Sequence, residues 1–372
     1  MYIYENEAWP DFEWNDHEIS KQLGDVRHRQ GLLLGQMSSM GFKLRAESVL
    51  QALTEETVQT SSIEGETLDK DQVRSSIARN LGLDIAGMVP SDRNVDGVVE
   101  MMIDATQNYD KPLTKARLCR WHAALFPTGR SGMNEIVVGD WRKDKKGPMR
   151  VVSGPIGRET IHFEAPSAKS IGHEMATFFK WFESKKNVDP VIAAAVAHLW
   201  FITIHPFEDG NGRIARAITD MALARSENTS QRFYSMSSAI RYKRKDYYTI
   251  LERTQKSSLD ISEWLKWFLG CFSDALDQAD HVLDAVLIKS EFWGAHKNTR
   301  FNERQQIMIE RLLDGFIGKL TSSKWAKITK ISQDTAARDI DDLIKKGVLT
   351  RSTAGGRSTS YELVLPKRQS DL

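Results

Sequence analysis

The chain has 372 residues, 41% of them hydrophobic, and 51 basic against 50 acidic residues give a net charge of +1. That length predicts two or three globular domains of roughly 150 residues each, and the charge balance excludes a global field drawing the chain to nucleic acid or a membrane surface. Two cysteines, Cys119 and Cys271, exclude a disulfide framework and have no metal-ligand neighbours, which suits a reducing cytosol.

The first residues carry acid where a signal peptide needs base, with no apolar core behind them, so a cytoplasmic protein is expected. Apolar residues at three- and four-residue spacing predict helices over 19–40, 46–63, 72–81, 95–106 and 115–125, the last closing before Pro127. The segment 139–166 breaks this pattern. Its β-prone pieces Val151-Val152-Ser153-Gly154-Pro155 and Thr160-Ile161-His162-Phe163 flank a turn at Gly157 and predict a hairpin. Helices resume over 170–185 and 190–204. The latter is apolar almost all round, as the central helix of a bundle is, and it is too short to span a bilayer. It must end at His205-Pro206, because the residue before a proline is pushed out of helical geometry. Further helices are predicted over 212–224, 242–255 and 261–289. Beyond Arg304, helices over 305–313, 323–329 and 333–346 precede two strand-like pieces around Gly355-Gly356, the order of a winged helix. The expected domains are 1–112, 113–290 and 300–372.

The chemistry concentrates between residues 205 and 216, in His-Pro-Phe-Glu-Asp-Gly-Asn-Gly-Arg-Ile-Ala-Arg. Gly210 and Gly212 around Asn211 allow backbone N–H groups to turn inward, and the helix starting there adds the positive end of its dipole, a combination that binds phosphate oxygens. Arg213 and Arg216, three apart on the first turn, reach one polyphosphate together. Asp209 is a hard oxygen ligand placed where Mg²⁺ would bridge phosphates. His205, at the mouth, has the ordinary pKa of a general base at neutral pH. These pieces predict phosphoryl or nucleotidyl transfer to an acceptor hydroxyl.

The same twelve residues resemble the signature of the Fic (filamentation induced by cAMP) family, His-x-Phe-x-Asp/Glu-Gly-Asn-Gly-Arg-x-x-Arg, at every specified position. The resemblance covers roughly residues 113–268 and implies transfer of AMP from ATP to a Ser, Thr or Tyr hydroxyl of a target protein. It implies that His205 takes the hydroxyl proton and Asp209 holds Mg²⁺. Gly210, Asn211 and Gly212 would line the anion hole, Arg213 contact the phosphates and Arg216 grip the γ-phosphate, with Phe207 as a core anchor. The related Doc branch, which phosphorylates, has Lys at the position of Gly212, so Gly212 points to AMP transfer. The hairpin is similar to the family's flap, on which a target segment docks as an added strand. Val151, Val152, Ser153 and Gly154 would form its nucleotide-side edge. Tyr247, Tyr248 and Gln255 fall where the family lines its adenine and ribose pocket, Gln255 replacing the Asn of many relatives.

Thr60-Ser61-Ser62-Ile63-Glu64-Gly65 resembles the family's inhibitory motif, Ser/Thr-x-x-x-Glu-Gly/Asn. A Glu64 carboxylate against Arg216 would occupy the guanidinium that the γ-phosphate needs, so Glu64 is expected to act as a brake. The overall expectation is a mostly α fold: an N-terminal helical domain bearing the brake, a Fic helical bundle with a β-hairpin flap, and a C-terminal winged helix. Its recognition helix carries Asp334, Asp339, Asp341 and Asp342, which repel phosphates, so contact with protein is at least as well supported as contact with DNA. Two other functions fit the same residues: removal of AMP from a modified protein, with Glu64 orienting water, and a nucleotide-sensing transcriptional regulator. His198 reads as a satisfied core histidine, residues 142–146 as a solvated basic loop, and a homodimer stays open.

Overall fold

The computed structural model describes residues 1–85, 87–145, 147–155, 157–184, 188–313, 315–316, 318–352 and 359–365. The protein is mostly helical. One compact unit takes Met1–Met40 and Ser48–Asp280, and a second takes Gly41–Glu47 and His281–Leu372.

In the first unit, α1 (Asp16–Ser39), α2 (Phe42–Ile63, in the unit from Ser48), α3 (Lys70–Leu81), α4 (Arg93–Gln107) and α5 (Lys115–Leu125) come first. Side-chain oxygens of Asn15, Asp69, Asp92 and Thr114 cap α1, α3, α4 and α5, satisfying N–H groups that the helices leave orphaned. α4 and α5 approach so closely at Gly97 that a Cβ there would overlap the backbone carbonyl of Ala124. Gly97→Ala is therefore expected to cost roughly 3 kcal/mol, read as a lowered urea midpoint at unchanged slope.

Two antiparallel pairs follow: β1 (Arg130–Ser131) with β2 (Asn134–Glu135), a small pair that hydrophobic pattern does not reveal, and β3 (Arg150–Ser153) with β4 (Thr160–Glu164), the expected hairpin. Val151 faces Phe163 while Val152 faces Ile161, so His162 is the extra residue of a bulge. Bulges re-aim a side chain, and His162 here reaches Ser153 Oγ at 2.6 Å and Glu252 at 2.7 Å. The first residues brace the hairpin. Tyr4 donates its hydroxyl to the Glu164 carbonyl at 2.9 Å, and Tyr2 and Tyr4 set their rings edge-on to Phe163.

The bundle core is α6 (Ile171–Glu183), α7 (Pro190–Ile204) and α8 (Asn211–Glu227), with every residue of α7 after Pro190 buried. α7 starts with Asp189 as cap and Pro190 at its first position, where the missing N–H costs nothing. The helix expected over 242–255 is α10 (Arg244–Gln255), preceded across Lys243 by a short helix that was not expected, α9 (Met236–Tyr242). Ser235 caps α9 by accepting the Ser238 N–H, a signal lost in a short polar stretch. α11 (Ser262–Ala295, in this unit to Asp280) closes the bundle, Trp264 donating its indole N–H to the Ala195 carbonyl of α7.

α2 and α8 face each other antiparallel through polar residues spaced by four. Glu64 and Thr60 meet Arg216, and Glu56 lies beside Asp220. Glu56 accepts from Ser235 Oγ at 2.8 Å and the Ser237 N–H at 2.9 Å. Arg232 pairs with Asp220 at 2.9 Å and Glu227 at 3.1 Å, all inside the core. Burial, with Glu56 nearby, pushes the Asp220 carboxyl well above its ordinary range.

In the second unit α12 (Glu303–Leu313), α13 (Ser322–Thr329) and α14 (Gln333–Lys345) precede an antiparallel pair, β5 (Leu349–Arg351) and β6 (Tyr361–Leu363). Its core gathers Met308, Ile309, Trp325, Ile340, Leu343 and Val348. The expected Gly355-Gly356 turn and Ser358 lie outside the described residues, as do Lys146 and Lys185. No described helix is long and apolar enough to cross a membrane.

Candidate active site

The site begins where α7 ends. His205 is the C-cap in the left-handed region (φ 53°, ψ 57°), an uncommon place for a non-glycine residue. Arg142 holds that turn: its Nε donates to the His205 carbonyl at 2.7 Å and its backbone N–H to the Pro206 carbonyl at 3.0 Å. His205 Nδ1 donates to the Ile202 carbonyl at 3.1 Å, which fixes the tautomer and leaves Nε2 as an acceptor on a ring that lines a cavity. Burial lowers the His205 pKa to about 4, with Arg142 adding to the effect, so the ring is neutral at pH 7.

The loop after Pro206 is closed by its own residues. The Phe207 N–H donates to Asn211 Oδ1 at 2.9 Å, and Asn211 Nδ2 donates to the Phe207 carbonyl at 2.8 Å. Phe207 is fully buried and stacks on His122 at 4.2 Å. Gly210, at φ 78°, lies against the Phe126 ring where a Cβ would collide. The first helical bond of α8 runs from the Ile214 N–H to the Gly210 carbonyl at 3.0 Å. The N–H groups of Asn211, Gly212 and Arg213 are therefore the orphan donors of the helix start. Asp209 accepts the Gly210 N–H at 2.6 Å and the Ser131 hydroxyl, and Glu208 accepts the Val137 N–H at 3.0 Å.

A cavity of about 840 Å³ opens over this loop. Its walls include Glu64, Val151, Val152, Ser153, His205, Asp209, Gly210, Asn211, Gly212, Tyr247, Tyr248 and Gln255. Three other expected site residues, Gly154, Arg213 and Arg216, do not line it. Both arginines lie behind carboxylates from the end of α2. Arg216 is 2% exposed; its Nη2 donates to Glu64 Oε1 at 2.8 Å and to the Thr60 carbonyl at 2.8 Å, and its Nε to Thr60 Oγ1 at 2.7 Å. Arg213 Nη1 donates to Glu66 at 2.6 Å. Arg213 Nε and Arg216 Nη1 are buried with no partner among the described residues, and Nη1 faces Gly212. A Cβ on Gly212 would run into the Glu64 carboxylate, so the glycine makes room for that acid as well as for the loop.

On the other wall, Gln255 Nε2 donates to Thr203 Oγ1 at 3.2 Å. Tyr248 brings its hydroxyl to 3.3 Å from the Ile63 carbonyl and 3.4 Å from Glu64. Tyr247 is buried. Thr219 donates its hydroxyl to the Ala215 carbonyl and so accepts from His198 Nδ1 at 2.9 Å; His198 Nε2 then accepts the Tyr247 hydroxyl at 2.9 Å. The Tyr247 hydroxyl is thus turned into the core and only its ring is available to the cavity. Burial keeps both this histidine, at about 3, and His122, at about 4, far below ordinary pKa values.

Arg142 corrects the reading of 142–146 as a solvated loop: it is 2% exposed and bonded to the site. Glu66, His122 and Ser131 were also absent from the sequence reading, and Thr60 entered it as the first residue of the inhibitory motif, without its bonds to Arg216. Only Glu56, Thr60 and Glu64, matching the fourfold spacing of Gly212, Arg216 and Asp220, left a signal there.

No group of three or more metal-ligating side chains occurs among the described residues. A single carboxylate, Asp209, fits a Mg²⁺ that takes its other ligands from phosphates and water.

A helix–loop–helix cradle under a histidine and a hairpin places the chain in a recognisable class. Residues 112–223 match the Fic/DOC family, and the chain contains a domain of that family. Residues 2–83 match a domain of unknown function, DUF4172. The protein adenylyltransferase fic-1 of Caenorhabditis elegans is 28% identical over 170 residues, 45% of this chain and 31% of the relative. The protein adenylyltransferase Fic of Nematostella vectensis is 28% identical over 139 residues, 36% of this chain and 29% of the relative. The match thus spans less than a third of either relative. Among solved structures, a Fic family protein from Desulfovibrio desulfuricans G20 superposes with a TM-score of 0.51 at 19% identity, covering 94% of this chain and 97% of that one. A Fic domain containing signaling protein from Bacteroides thetaiotaomicron VPI-5482 gives 0.50 at 19% identity, covering 72% and 97%. At those identities the likeness is one of fold.

Proposed function

We propose that this site transfers AMP from ATP to a Ser, Thr or Tyr hydroxyl of a protein, and that Glu64 restrains it. The observation that carries the reading is the convergence on one cavity of the His205 ring with a free acceptor nitrogen and an α8 start whose N–H groups have no helical partner. Two buried arginine nitrogens without partners add the signature of an anion site. In the proposed step the acceptor oxygen attacks the α-phosphorus as its proton passes to His205 Nε2. The bond from that phosphorus to the bridging oxygen breaks, and pyrophosphate leaves. Gly210, Asn211 and Gly212 cradle the phosphates, and Arg213 and Arg216 receive the outer ones once Glu66 and Glu64 release them. Mg²⁺, held by Asp209, would neutralise phosphate charge. The β3–β4 hairpin, with Val151, Val152, Ser153 and Gly154, offers backbone for a target segment to add as a strand.

The helix order and β5–β6 pair of the second unit support a winged-helix reading. α14 carries Asp334, Asp339, Asp341 and Asp342 against Arg338 and Lys345, an acidic balance that favours a protein partner over DNA.

The decisive experiment incubates a Glu64→Gly chain with ATP labelled at either the α- or the γ-phosphate. Label should enter protein from the α-position only and disappear when His205→Ala is added. Entry of γ-label would make the enzyme a kinase, and transfer surviving His205→Ala would remove the assigned base. Release of AMP from the labelled chain by the wild-type protein would instead favour the reverse, de-AMPylating reaction.

A further inference from the structure

His122, on α5, is fully buried, lies outside the twelve-residue motif, and has every polar atom committed to the backbone around it. Nδ1 accepts the Gly139 N–H at 3.1 Å, so the ring proton sits on Nε2, which donates to the Asp209 carbonyl at 3.2 Å. Its ring stacks on Phe207 at 4.2 Å with an interplanar angle of 8°, and Phe126 packs on it with centroids 5.0 Å apart. One side chain therefore grips the motif loop twice, by ring face at Phe207 and by hydrogen bond at Asp209. It also ties that loop to Gly139, two residues before Trp141, which packs on Phe207 as well.

We propose that His122 is a positioning residue that sets the orientation of the Asp209-Gly210 peptide, and with it the phosphate cradle and the Asp209 carboxylate. The physical case is one of constraint. Gly210 adopts φ 78°, a region from which glycine departs at little cost, so the peptide plane is held by its two hydrogen bonds, the Gly210 N–H to Asp209 Oδ1 at 2.6 Å and the Asp209 carbonyl to His122. The carbonyl on its N-terminal side is pinned by His122 Nε2–H. Without that donor the Asp209 carbonyl loses its partner, and rotating the peptide to find another breaks the 2.6 Å bond from the Gly210 N–H to the Asp209 carboxylate and shifts both that carboxylate and the start of the cradle. The inference rests on the transferase reading for its effect on rate but not for the clamp itself.

The two functions of the ring, stacking and donating, are separated by substitution. His122→Phe keeps an aromatic face against Phe207 and lacks the Nε2–H. His122→Gln loses the face and keeps a donor at a comparable distance along the side chain. In the Glu64→Gly background, His122→Phe is expected to lower AMP incorporation at saturating ATP by at least about tenfold, because misplacement of reacting groups by about an ångström costs up to 10²-fold. ATP affinity by calorimetry should change little, and His122→Gln should recover most of the rate although its thermal midpoint is lower. A purely structural histidine would give the opposite ranking, with rate following stability. Amide exchange across residues 207–212 supplies a readout independent of any transfer: faster in His122→Phe, near parental in His122→Gln. Equal exchange in parent and His122→Phe would overturn the clamp, whatever the activity. Loss of labelling in the Glu64→Gly parent itself, with the exchange pattern as expected, would strike the transferase reading alone.

Discussion

Replacing Glu64 by glycine is expected to raise incorporation of AMP from α-labelled ATP by roughly ten- to a hundredfold over the wild-type chain. The Glu64–Arg216 contact is a charge-assisted hydrogen bond, worth about 1.5–3 kcal/mol, and each 1.36 kcal/mol is a factor of ten in rate. Its geometry places it at the upper end of such pairs, since the Arg216 side chain is 1% exposed and that of Glu64 29%. The neighbouring pair ranks far lower. Glu66 is 50% exposed beside Arg213, and pairs so open to water contribute about 0–1 kcal/mol. Glu66→Ala should therefore raise labelling by less than about fivefold. Stability should move the other way. Glu64→Gly leaves a buried guanidinium bonded to Thr60 without its carboxylate, so the thermal midpoint should fall without nucleotide and recover with ATP, which supplies the missing anion. A Glu64→Gly chain that labels no faster than wild type and melts no lower would remove the latch from the account.

The elements around this site were largely legible because local rules decide them. Proline at 206 ends α7 at Ile204, and Asp189-Pro190 starts it, so both ends match the reading of 190–204. The hairpin was visible in Val151-Val152-Ser153 and Thr160-Ile161-His162-Phe163, and Phe207 lies in the core as its type and setting implied. What escaped is long-range. Arg142 looked like one member of a basic run because charge runs usually sit in solvent; two backbone carbonyls of a strained turn and Asp144 draw it inward. His122 carries no motif at all, and its partners Gly139, Phe207 and Asp209 lie 17, 85 and 87 residues away, so only the fold can join them. Tyr247 fell between these cases. Its position by the cavity was expected, but its hydroxyl is taken by His198, seven residues before His205 and two turns deeper in α7.

Those buried imidazoles make the first unit acid-sensitive over a defined window. Burial, with the Arg216 charge nearby, lowers the His198 pKa to about 3 in the fold against 6.5 for the free side chain. The folded pKa is depressed, so between pH 6.5 and about 3 the unfolded chain binds the extra proton. Stability is therefore full above pH 6.5 and falls as the pH drops, by up to about 1.4 kcal/mol per unit. His122 and His205, at about 4, act with the same sign down to that value. Asp220 acts oppositely: its folded pKa is raised, so protonation favours the fold as the pH falls. With three groups against one, the net sign is a loss of stability as the pH falls below 6.5. The thermal midpoint should thus decline steadily from pH 6.5 to 4.5, before most carboxylates titrate. A His198→Gln chain should start from a lower midpoint at pH 7 but decline less steeply, its slope reduced by about a third or more. Parallel curves for the two proteins would show that His198 accepts its proton in the fold as readily as in water, and that burial beside Arg216 does not hold it neutral.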